Sequence, residues 1–188
     1  AFALLAGCSD YREDTRSNPP MGQSRQDMSG PGAGPGQGSS SMNAMNMFTA
    51  TDPSIRRFFD TAYAYAIFPE IGKGGAGIGA AHGDGYVYEQ GRLVGTVEMT
   101  QVTVGAQIGG QTYREVIFFQ DAAALNRFKS GGTQFAANAS AVVVKSGAAA
   151  TNDYRDGVAV FVLPIGGFMG EAAIGGQGFK YRPMNQGW

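Results

Sequence analysis

The sequence predicts an α+β fold: a strongly curved antiparallel β-sheet or small β-barrel-like domain, with an N-terminal amphipathic helix and a short internal helix. Three observations lead there. From Ile71 onward, β-branched and aromatic runs recur at short spacing between glycine or polar turns. Two stretches interrupt that rhythm with helical spacing or helix caps. Many of the 30 glycines alternate with Val, Ile and Ala, which reads as packed sheet.

The opening residues 1–8, AFALLAGC, read as the apolar core and cleavage end of a truncated secretory signal. Leu5-Ala6-Gly7-Cys8 resembles a bacterial lipobox, in which the cysteine is lipidated and anchors the protein to a membrane. Cys8 is the one cysteine of the chain, an odd number for an exported protein, and it sits where the apolar run stops. Ser9, rather than Asp, follows it. By resemblance to Gram-negative lipoproteins this implies the outer membrane, facing the periplasm or the cell surface. Residues 9–50 are rich in Pro, Gly, Ser, Gln, Met and Asn and keep no apolar period. They are expected to be a disordered tether, which as a coil of about 42 residues has an r.m.s. span of roughly 35 Å.

The folded domain is expected over 51–188. Thr51-Asp52-Pro53 reads as a helix cap followed by proline in the first turn. Ile55, Phe58, Phe59, Ala62, Tyr63 and Ala66 keep helical spacing, predicting an amphipathic helix over 52–66. IGKGGAGIGAAHGDG (71–85) then reads as a glycine-rich strand, with Gly83–Gly85 as a turn. Further strands are predicted at 86–88, 93–99, 102–108 and 114–119, and again at 134–137, 140–145, 158–164 and 167–181. Between them, Asp121 caps a short helix over 121–129 that ends on Arg127, Lys129 and Gly131-Gly132.

Several function classes are excluded on chemistry. Fourteen basic against 15 acidic residues leave no basic excess for nucleic acid. Gly75-Ala76-Gly77-Ile78-Gly79-Ala80 matches a dinucleotide fingerprint nominally, but the helix that the fingerprint requires does not follow. A phosphate-binding P-loop fails because Lys73 precedes the glycines. With one histidine, His82, and one cysteine, neither a catalytic triad nor a zinc site can be assembled. No catalytic residue, cofactor or metal is therefore expected.

Four long segments then carry a family resemblance: AYAIFPEIGKGGAGIG (64–79), GRLVGT (91–96), VTVGAQIGGQTYREVIFFQDAAALNRFKSG (102–131) and VAVFVLPIGGFMGEAAIGGQGFKYRP (158–183). Over roughly residues 52–182 the chain resembles the SYLF lipid-binding domain, in its bacterial lipoprotein branch. The resemblance implies a non-enzymatic module for anionic lipid or phosphoinositide-like headgroups, with Lys73 in the headgroup site. Physically, an ammonium beside the bare N–H groups of Gly72, Gly74 and Gly75 suits a phosphate. Arg56 and Arg57 would join it if the first helix packs alongside; Arg114, Lys145 and Lys180 are further cations whose placement one sequence leaves open. Val97–Gln101 stands where many eukaryotic members have Trp-Ser-x-Pro, so actin binding is not carried over. The alternative is a structural envelope protein acting through self-association or contact with another protein.

Overall fold

A computed structural model of the protein describes residues 36–131, 141–166 and 177–184. Cys8, the signal-like run and most of the expected tether lie outside these residues, as do the predicted strand at 134–137 and much of the one at 167–181. The first described element is helix α1 (Gln37–Thr51), so residues 37–50 are folded where a tether was expected. Its buried positions are Ser41, Ala44 and Phe48, at i, i+3 and i+7. A stripe with only one large apolar residue leaves little period to detect.

Asp52 ends α1 and caps a 3-10 turn (Pro53–Ile55). Its carboxylate accepts from Ser54 N at 3.0 Å, Ser54 Oγ at 2.6 Å and Ala149 N at 2.7 Å. Burial pushes that carboxyl up, but the Ala149 and Ser54 hydrogen bonds outweigh it and hold the group below the usual range. Helix α2 (Arg56–Thr61) follows and is only six residues long. The helix expected over 52–66 is thus corrected, because the chain is already in strand β1 at Ala64. Ala64 and Ala66 face one core while Tyr65 and Ile67 face another. A strand buried on both faces shows no polar alternation, and its apolar residues met helical spacing by coincidence.

Two strands dominate the fold. β1 (Ala64–Glu89, 26 residues) and β2 (Arg92–Phe119, 28 residues) pair antiparallel from end to end, with register shifts between Phe68 and Ile71, Ala76 and Ile78, and Val87 and Tyr88. Gln90 and Gly91 close the hairpin with φ of 50° and 76°, the positive pair that a type I′ turn demands. Gly83–Gly85 is not a turn but lies within β1. After β2 come α3 (Ala122–Lys129), β3 (Ala141–Val143), a 3-10 turn (Ala149–Thr151), β4 (Val158–Gly166) and β5 (Gln177–Pro183). The α3 cap is as expected, with Asp121 Oδ1 accepting from Ala124 N at 2.8 Å.

The sheet runs β1-β2-β4-β3, and β5 pairs with β2 near the hairpin end. β3 lies parallel to β4, so the sheet is mixed rather than wholly antiparallel. Among the described residues it is open, with β1 and β3 at its ends, and closes no barrel. What replaces closure is folding of the hairpin onto itself. A Cβ on Gly83 would stand 2.6 Å from Ile71 Cγ1, and one on Gly85 would stand 2.6 Å from Phe68 Cδ1. The far half of β1 therefore lies directly over its near half, and glycine permits the approach.

This folding creates two cores. Between the layers lie Ala66, Phe68, Ile71, Val97, Met99, Ile117, Val160 and Phe179, sealed at one end by Leu125 and Phe128 of α3. On the outer side of the first layer, α1, α2 and the 3-10 turns cover Ile67, Val116, Phe118 and Phe161 with Phe48, Ile55 and Phe58. The hairpin end is tied to α3 through Glu89, which accepts from Tyr63 Oη at 2.7 Å and pairs with Lys129 Nζ at 3.0 Å. Gly85→Ala should destabilise the protein by about 2 kcal/mol, because the phenyl ring of Phe68 and the Ile67 carbonyl must both give way. Chemical denaturation checks this; an unchanged midpoint would show that the layers are not in contact there.

Candidate functional site

Along the outer face of the first layer, the apolar cover stops at Glu70 on β1 and Arg114 on β2. There the first turns of α1 stand off the sheet and leave a cleft of about 420 Å³, lined by Ser39, Ser40, Asn43, Pro69, Glu70 and Arg114. Ser39 and Ser40 hydroxyls both donate to the Gly36 carbonyl at 3.0 Å. Arg114 is half-buried, and its guanidinium makes no hydrogen bond or ion pair among the described residues. It is a cation held by its strand and left available.

Beyond Arg114 the same face becomes bare backbone. Gly72 pairs with Thr112, which in turn pairs with Gly166, and Gly74 pairs with Gly110. Cross-strand partners share a face, so these residues form one continuous strip. A Cβ at Gly72 or Gly166 would meet nothing within 4 Å, and at Gly74 or Gly110 only a carbonyl oxygen at 3.9 Å. None of the four has a positive φ. The fold itself thus has room and backbone freedom for a side chain at each. Gly75 differs: its φ is 158°, and a Cβ there would collide with the Ile78 carbonyl and stand 2.6 Å from Gly79 Cα.

Lys73 is half-buried opposite Gln111, and it shares the core-facing side with Ile71 rather than the outer side with Gly72 and Gly74. It lies well inside β1, where every second N–H is turned toward the β2 ladder. On the opposite, convex side of the ribbon, Ile78 and Val102 are each 66% exposed, with Ala80 paired to Val102 between them. His82 and Asp84 follow on that convex side, both exposed and within the strand.

The two helix arginines do not converge on Lys73. Arg57 donates to the carbonyls of Ala149, at 3.0 Å, and Asn152, and its guanidinium lies 4.6 Å from the Phe58 ring centroid. It binds α2 to the 3-10 turn at Ala149–Thr151. Arg56 is exposed on the same short helix. Lys73 lies nine residues past the start of β1, roughly 30 Å along the strand at about 3.3 Å per residue. Lys145 and Lys180 are exposed elsewhere, the latter opposite Glu98 on the second layer.

The structure therefore gathers Gly72, Gly74 and Arg114 on one face, with Lys73 on the reverse of the same ribbon. Arg114 was legible only as one of three further cations whose placement the sequence left open. Ser39, Ser40 and Asn43 carried no signal, since nothing marked their segment as folded.

No family model matches the chain. One curated protein is similar: Beta cell expansion factor A of Aeromonas veronii, 29% identical over 132 residues, which is 66% of this chain. The match spans 48% of that protein, so this chain corresponds to about half of its length.

Proposed function

We propose that this chain is a non-enzymatic, SYLF-like lipid-binding module that takes anionic headgroups at the strip formed by Gly72, Gly74, Gly110 and Arg114. The observation that carries this reading is the set of glycines that the fold does not need, placed beside an arginine that the fold does not use. A bare strip lets a phosphate-bearing surface approach the backbone, and a guanidinium at its edge supplies bidentate hydrogen bonding and charge. Lys73 adds a second cation whose flexible stem can extend from the ribbon's edge. Ile78 and Val102 give the same ribbon an apolar surface suited to the acyl boundary. Outside the described residues, lipidation at Cys8 would hold the module at an outer membrane, within reach of such a surface.

Co-sedimentation with vesicles tests this, using the full chain carrying Cys8→Ser so that no acyl chain contributes. Binding should rise with the anionic lipid fraction and weaken with salt. Arg114→Gln and Lys73→Ala should each weaken it about fivefold, as expected near 1 kcal/mol per cation at an anionic surface. Gly74→Val should weaken binding while leaving the denaturation midpoint nearly unchanged, since a Cβ there meets only a carbonyl oxygen at 3.9 Å. Equal binding to neutral and acidic vesicles would overturn the reading. Concentration-dependent oligomers with no lipid preference would favour the envelope-assembly role, for which Ile78 and Val102 are the exposed apolar contacts.

A further inference from the structure

Among the described residues, the interior between the two layers holds one carboxyl group. Glu115 of β2 is 0% exposed and Gln177, the first residue of β5, is 1% exposed. They meet across the core, with Gln177 Nε2 donating to Glu115 Oε2 at 3.1 Å. The second carboxyl oxygen, Glu115 Oε1, and the amide oxygen, Gln177 Oε1, have no hydrogen-bond partner among the described residues. A carboxyl and a primary amide are both planar forks. In a cyclic acid–amide dimer the amide N–H occupies one carboxyl oxygen, and a proton on the other carboxyl oxygen is donated to the amide oxygen. A single proton on Glu115 Oε1 satisfies both.

Among the described residues, no charge stands opposite to keep the carboxyl ionised. On its neighbours in the sheet, Glu115 is paired with Phe68 of β1 and Val162 of β4. Phe179 is the next core-facing residue of β5, and α3 contributes Leu125 and Phe128. The titratable neighbour among the described residues is Tyr113, two residues away on the same face. Burial and then Glu115 push its hydroxyl up, a hydrogen bond with the Gln177 side chain offsets this only in part, and it stays protonated. The cation on that face, among the described residues, is Lys73, opposite Gln111 and beyond Tyr113 along the strand. Burial pushes the Glu115 carboxyl up to about 7, and the Gln177 hydrogen bond only partly offsets this.

We propose that Glu115 is held as a neutral acid donating from Oε1 to Gln177 Oε1, so that a proton latches β5 across the core and its loss releases that strand. Deprotonation removes the donor, sets two acceptor oxygens against each other and leaves a charge in an apolar interior. β5 is the element that yields. It has seven residues and, among the described residues, pairs only with β2, whereas β4 is held by both β2 and β3. Its release uncovers Phe179 and the inner face of the second layer.

Hydrogen–deuterium exchange on the full chain tests the latch, comparing amides of 178–182 with those of 158–163 at pH 6 and pH 8.5 after correction for intrinsic rates. Protection of β5 should fall about tenfold relative to β4 between the two conditions. Glu115→Gln, whose amide can make both hydrogen bonds at any pH, should abolish the difference. Infrared spectra of the unsubstituted chain give a second reading that needs no variant to fold: a protonated-carboxyl band present at pH 6 and lost by pH 8.5. Equal loss of protection in β4 and β5, or a chain with no protonated carboxyl at pH 6, overturns the proposal.

Discussion

Between pH 5 and pH 8 the unfolding free energy should fall by about 2.5 kcal/mol, the linkage expected for one carboxyl raised from 4.5 to about 7. The sign follows from proton counting. In that window the folded chain keeps a proton on Glu115 that the unfolded chain has lost, so stability declines as pH rises. The decline begins near 4.5 and is complete just above 7. Other shifted carboxyls act elsewhere: those of Asp52 and Glu89 are lowered, so the stability they contribute is lost only on further acidification, below about 4. Urea denaturation at half-unit pH steps measures the slope. Glu115→Gln should flatten the profile and be the more stable chain at pH 8 by about 3.4 kcal/mol, the whole linkage between 4.5 and 7. A flat profile in the unsubstituted chain would mean that Glu115 is ionised when folded.

The elements that were legible in the sequence are those whose local chemistry agrees with their final environment. The α3 cap and the strands at 93–99, 114–119 and 158–164 met no competing signal. The glycine alternation of 71–85 was legible as packed strand, and the close approach of Gly83 and Gly85 to Ile71 and Phe68 is its physical content. The misreadings have one origin. Local reasoning treats glycine as punctuation and apolar spacing as evidence of period, but β1 bends at its glycines without turning and is buried on both faces at its start. α1 was hidden for the opposite reason: its contribution to the core is Phe48 and two small residues, so its helicity comes from packing rather than pattern. The candidate site shares that dependence. Arg114 and Gly72 lie far apart in sequence and become neighbours only through the β1–β2 register. Glu115 drew no notice at all, because a single acidic residue in a strand reads as solvent-facing until the hairpin folds over it.

Phe118→Ala should cost about 3–5 kcal/mol, the usual range for emptying a fully buried phenyl site, and should unfold the outer core before the inner one. Phe118 is 0% exposed and touches the rings of Phe58, Phe59, Tyr65 and Phe161, with centroids at 5.3, 4.8, 6.1 and 5.9 Å. Three elements meet on that one side chain: α2 through Phe58 and Phe59, β1 through Tyr65 and β4 through Phe161. Edge-to-face geometry with Phe59 and Phe161 adds to the area term, so truncation loses specific ring contacts as well as burial. The neighbours cannot collapse freely, because Arg57 holds α2 to the carbonyls of Ala149 and Asn152 while Asp52 holds the same turn through Ala149 N. A cavity is left rather than filled, which places the cost toward the upper end. Phe119→Ala, one residue on and facing the inner core with Phe128, is the matched comparison. If the two cores are separate packing units, exchange protection in α2 should drop in Phe118→Ala and be largely kept in Phe119→Ala. Identical loss in both variants would show instead that the layers melt as one.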